Sequence, residues 1–87
     1  MIENKVLLLK TNCELEIVSI DINNVLKELQ KLVGGLIEVY PKEDGKYLYI
    51  VDEEGICKSK EYNMLAKLIF DINIVGDLIV CDKKLLK

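Results

Sequence analysis

The chain has 87 residues, 51% hydrophobic and 31% charged, which suits one folded domain and leaves no room for two. Its 15 acidic residues outnumber 12 basic ones for a net charge of −3; every basic residue is lysine, and arginine, histidine and tryptophan are absent. Without arginine's bidentate fork, sequence-specific nucleic-acid binding is disfavoured, and without histidine the Ser–His and Cys–His nucleophilic pairs and His-containing zinc sites are excluded.

Residues 6–9 read as a strand, Thr11-Asn12 as a turn, and residues 13–20 as a second strand. In the second strand Cys13, Leu15 and Ile17 fall on one face, with Glu14 and Glu16 on the other, so residues 6–20 predict a hairpin. Asp21 is placed to cap a helix whose apolar stripe is Ile22, Val25, Leu26, Leu29, Leu32 and Val33. That helix should stop at Gly34-Gly35, where glycine takes the left-handed conformation without a Cβ clash. A phosphate-cradling glycine loop precedes its helix, so these glycines, which follow one, read as a cap.

Residues 36–40 and 46–52 predict a second hairpin, with turn chemistry from Pro41 to Gly45. Glu53-Glu54-Gly55 is a turn, after which Ile56-Cys57 could briefly continue the sheet. Ser59 or Asn63 caps a second helix reaching about Asp71, with an inward face of Leu65, Leu68, Ile69 and Ile72 and with Ala66 and Phe70 alongside. The near-continuous apolar run of residues 76–81 is a final strand in a well-covered position, and the charged tail 82–87 is expected to fray. The order is β-β-α-β-β-α-β in a single domain, residues 1–87. The expected fold is α+β: a two-layer sandwich with a mainly antiparallel sheet and both helices on one face.

Candidate contact residues follow from the fourth strand. If Leu48 and Ile50 face the helices, then Tyr47, Tyr49 and Val51 stand on the open face, where tyrosine suits an interface. Asp52, Glu53 and Glu54 add an acidic turn; the run is contiguous, so its side chains diverge, unlike the alternating ligands of a calcium loop. With Asn63 these residues form the expected protein-binding surface. Cys13, Cys57 and Cys81 are widely spaced, odd in number and lack a C-x-x-C pair, which fits a reducing cytoplasm and small buried hydrophobes better than a metal site. No metal or cofactor is expected. The mixed charge of the first helix's polar face disfavours membrane binding, and no stretch approaches the roughly 18 apolar residues of a span.

Residues 29–38 with Gly34-Gly35 inside them, then Val51-Asp52-Glu53-Glu54-Gly55, then Asn63 and Ala66, then residues 74–80 with Gly76-Asp77, resemble the DUF3846 family of small proteins from bacteria, phages and mobile elements. A Pro often stands near the corresponding Asn in that family, whereas Glu61-Tyr62 precede Asn63 here. The resemblance implies no established activity. It implies a setting in which small accessory proteins often block host defence. The expected function is a non-enzymatic interaction module that occupies a host protein. The alternative is an oligomeric module that sequesters a small ligand such as a nucleotide signal, with its site between subunits.

Overall fold

The computed structural model describes residues 4–42, 45–56 and 58–86. Strands β1 (Lys5–Leu9) and β2 (Leu15–Ser19) form the first hairpin, and helix α1 (Val25–Val33) follows. Strands β3 (Ile37–Val39) and β4 (Tyr47–Asp52) form the second hairpin; helix α2 (Met64–Phe70) and strand β5 (Leu78–Asp82) complete the expected order. The five strands make one antiparallel sheet in the order β2-β1-β5-β4-β3. The apolar run of β5 sits at its centre, as its composition requires.

The α+β class and the element order hold, but the helices do not share a face. Leu29 and Val33 of α1 pack on Val6, Leu8, Ile50, Ile79 and Cys81. Ala66 of α2 packs on the other face, against Leu9, Tyr49, Val51, Leu78 and Val80. The architecture is therefore helix–sheet–helix, three layers rather than two. The cause lies in β4 and β5, which are apolar on both sides: Leu48 and Ile50 oppose Tyr47, Tyr49 and Val51, and Ile79 and Cys81 oppose Leu78 and Val80. A strand with two apolar faces needs cover on both.

Helix α1 is shorter than its apolar spacing predicts, whereas α2 keeps the expected bounds, with Asn63 as its N-cap and Asp71 as its C-cap. Asp21 does not cap α1. Its carboxylate accepts from the Asn23 amide at 2.9 Å and from the Asn24 side chain at 2.9 Å, closing a turn ahead of the helix, and these bonds, Asn23's first, lower its pKa. Asn24 takes the N-cap position, and Ile22 and Leu26 of the expected stripe are exposed. In α2 the buried residue is Ala66, with Leu65 and Phe70 packed beside it, while Leu68 and Ile69 face outward. The expected frayed tail is replaced by a 3-10 turn, Lys83–Leu86, with Leu85 buried against the α1 side of the core. Ile56 lies in a turn and not in a strand; Asp44 and Cys57 fall outside the described residues.

Seven residues give α2 a length of about 10 Å, roughly two strand spacings. It covers β1, β5 and β4, and both edge strands lie beyond it on that face.

Candidate functional site

The connection from β4 to α2 begins at Asp52 and ends at Asn63, and a buried polar side chain fixes each end. Asp52 is only 4% exposed. Its carboxylate accepts from Lys60 Nζ at 2.6 Å, from Lys58 Nζ at 3.0 Å and from the Glu54 amide at 2.8 Å. Both ammonium groups reach past it to the end of α1: Lys60 donates to the Val33 carbonyl at 2.5 Å and Lys58 to the Gly34 carbonyl at 3.1 Å. The lysines thus lie between a carboxylate and the partial negative charge of a helix C-terminus, where cations are favoured. Burial pushes the Asp52 carboxyl up, but the hydrogen bonds from Lys60, the Glu54 amide and Lys58 outweigh it and hold its pKa at about 2.

The two glycines after α1 have different reasons to be there. Gly34 ends the helix in the left-handed conformation at φ 82°. At Gly35 a Cβ would collide with the Lys58 ammonium and sit 3.2 Å from Asp52 Oδ1, so a larger residue would displace Lys58 from the clamp.

Asn63 is fully buried. Its Oδ1 accepts from the Ala66 amide at 3.0 Å, capping α2, as expected of an N-cap. Its Nδ2 donates to the Leu9 and Gly76 carbonyls, both at 2.9 Å. The residue joins β1, α2 and the α2–β5 loop. That loop is braced again by Tyr62, whose hydroxyl donates to Asn73 Oδ1 at 2.8 Å and whose backbone forms an isolated bridge with Val75.

Between the two anchors, beyond the end of α2, a cleft of about 540 Å³ opens over β3 and β4. Tyr40, Val51, Ile56, Ile74 and Val75 supply an apolar lining. Glu38 from β3 and Glu53 from the turn place carboxylates on it, and Asn73 adds an amide. Glu38, Glu53 and Ile56 are exposed, so this surface is open to a partner.

The residues expected to form a contact surface therefore divide. Glu53 and Glu54 are exposed, as a solvated acidic turn requires. Tyr49 is only 2% exposed; its ring meets Phe70 edge to face at 5.4 Å beneath α2, so it does not stand on an open face. Tyr47 is half-buried on the same side, with the Lys46 ammonium 5.7 Å from its ring centre. Val51 is buried but lines the cleft. Asp52 and Asn63 are anchors. The structure brings Val51, Asp52 and Glu53 together at the cleft and leaves Tyr47, Tyr49, Glu54 and Asn63 out of its lining. Sequence reading missed Lys58, Lys60, Glu38, Tyr40 and the 73–75 wall; the one legible signal was the Lys-x-Lys pair following an acidic turn.

Cys13 is exposed and Cys81 is buried, its thiol pushed up to about 11 chiefly by burial. Among the described residues no three His, Cys, Asp or Glu side chains converge as a metal site, and no helix is long and apolar enough to cross a membrane.

The family model for DUF3846, a domain of unknown function, matches residues 4–84, which takes in all five strands and both helices. The chain belongs to the DUF3846 family. In this DUF3846 domain the resembling segments are the structural anchors: Gly34-Gly35 ends α1, Asp52 holds the lysine clamp, Asn63 caps α2, and Gly76 receives the Asn63 amide. No curated protein and no solved structure matches the chain.

Proposed function

We propose that this DUF3846 domain is a non-enzymatic interaction module and that the cleft over β3 and β4 is where it holds its partner. The observation that carries the reading is the cleft itself: an open, apolar recess with carboxylates at Glu38 and Glu53, walled by two loops that buried polar anchors hold in place. An apolar core beside a charged rim is the composition of a protein interface. The occupant this chemistry fits is a segment of a partner protein with an apolar side chain for the recess and lysine or arginine flanking it. Among the described residues the one carboxylate with a strongly shifted pKa, Asp52, is held ionised near 2 beneath two lysines, which suits an anchor and not a proton acceptor at neutral pH.

The setting we propose is the cytoplasm of a bacterial cell that carries a phage or mobile element, with a host defence protein as the partner to be blocked. That part of the reading rests on the family resemblance and not on the cleft. The volume also supports a second reading, since small-molecule sites occupy roughly 300–1,000 Å³. Carboxylates on the cleft favour a cationic amphiphile over an anionic nucleotide.

The test is affinity capture from the bacterial host with the wild-type domain and with an Ile56→Glu/Glu53→Lys double variant. Both side chains are exposed, so the thermal midpoint should stay within a few degrees of wild type. The proposal expects a protein captured by the wild type and lost from the variant. Equal capture by both would contradict it. A small cation that raises the thermal midpoint of the wild type but not of the variant would favour the second reading.

A further inference from the structure

The two edges of the sheet are built differently. β3 is three residues long, carries Glu38 and is followed within two residues by Pro41. Shortness, charge and proline are what keep an edge from pairing with another strand. β2 is less guarded: it is five residues, LEIVS, with no proline and no lysine, and its one charge, Glu16, is paired with Lys10 of the same hairpin at 2.6 Å.

The hydrogen bonds of the first hairpin fix which way the β2 backbone points. The Lys10 amide donates to the Glu14 carbonyl at 2.9 Å, and the Ile20 amide donates to the Asn4 carbonyl at 2.6 Å. Bonded pairs alternate along an antiparallel ladder, so Glu14, Glu16, Val18 and Ile20 bond to β1. Leu15, Ile17 and Ser19 then direct their N–H and C=O groups away from the sheet. On the α2 face, where that short helix gives no cover, Leu15 is 53% exposed and Ile17 is 73% exposed. Unpaired backbone groups and bare apolar side chains coincide on one strand.

We propose that β2 pairs with β2 of a second copy of this chain, antiparallel, about a two-fold axis through Ile17, to make a ten-stranded sheet. The charge pattern selects this register. Centred on Ile17, the pairing sets Leu15 opposite the partner's Ser19, Glu16 opposite the partner's Val18 and Ile17 against the partner's Ile17. All the outward backbone groups then meet bonding counterparts, and no carboxylate stands directly opposite another; the two Glu16 side chains are diagonal neighbours, each paired with its own Lys10 at 2.6 Å. Centred on Glu16, the pairing would oppose two glutamates, and like charges directly opposite are destabilising. Centred on Val18, it would set Leu15 against the partner's Asp21. In the Ile17 register, Leu15 also lies diagonal to the partner's Ile17, within reach of an aliphatic contact. A second copy needs no other chemistry, because the strand complements itself. The β3 edge and its cleft stay free at the far ends of the joined sheet.

A five-residue strand pair falls at the small end of specific interfaces, below about 1,200 Å², so the dimer is expected in the micromolar range. Analytical ultracentrifugation across that range should show the 9.9 kDa chain sedimenting at twice its mass. Ile17→Pro removes an amide that no bond to β1 uses, and proline is tolerated on edge strands, so this variant should stay folded and sediment as a monomer. Ile17→Lys, which sets two ammonium groups together on the axis, should do the same. A wild-type monomer throughout the range would overturn the proposal, and so would a dimer that both folded variants retain.

Discussion

Asp52 and Asn63 hold the two ends of one connection by different means. Asp52 is a buried charge compensated by two lysines that also cap α1. Asn63 is a buried neutral amide that makes three hydrogen bonds to backbone groups of three segments. The lysines are partly solvated, with side chains 36% and 25% exposed, so they can turn to water if the carboxylate is lost. The backbone groups around Asn63 cannot. The difference teaches that burial alone does not rank polar residues; what matters is whether the partners have somewhere else to go.

The largest expected effect is accordingly at the neutral site. Asn63→Ala removes a donor from the Leu9 and Gly76 carbonyls and the acceptor of the Ala66 amide, all in a buried site, and chemical denaturation should show a loss of about 3 kcal/mol. A cost no greater than that of an exposed substitution would break the comparison. Asp52→Asn should cost less, about 1–3 kcal/mol, because the amide still accepts hydrogen bonds and the lysines can rehydrate.

The pH dependence separates the two sites further. The folded Asp52 carboxyl titrates at about 2, below its usual 3.8, so its stabilisation is complete above that usual value and disappears as pH falls toward 2. Asp52→Asn should flatten the acid limb of a stability–pH curve, whereas Asn63→Ala should lower the curve and keep that limb. Asp21 and Asp71 shift in the same direction but remain in both variants, so the difference between the curves isolates Asp52. The smallest effects belong to the single lysines. Lys60→Met and Lys58→Met each leave the buried Asp52 carboxylate one partner short, with the other lysine and the Glu54 amide still bound, and should each cost about 1–2 kcal/mol. Lys60 should cost the more, having the shorter bond and the less exposed side chain.

Much of the fold was legible because strand and helix periodicities are local. Alternation in residues 13–20, the apolar run of 76–81 and Gly34 after α1 each specified their element. The side of the sheet on which each helix packs is not local. β4 reads as alternating Leu48 and Ile50 against Tyr47 and Tyr49, and tyrosine fits a solvated face or a covered one equally well. Phe70, far along the chain, decides the matter by packing on Tyr49. The candidate site was half legible for the same reason. Its acidic turn is contiguous in sequence, but Glu38, Ile56 and Ile74 meet only once β3, the turn and the α2–β5 loop converge.

Site-specific photo-cross-linking in the bacterial host tests the central claim most directly. A photoreactive residue replaces Ile56 on the cleft in one variant, and Lys27 on the exposed side of α1 in another. The account predicts a discrete protein adduct from position 56 and none from position 27. No adduct at 56, or the same adduct from both positions, would contradict the assignment of the cleft as the partner site.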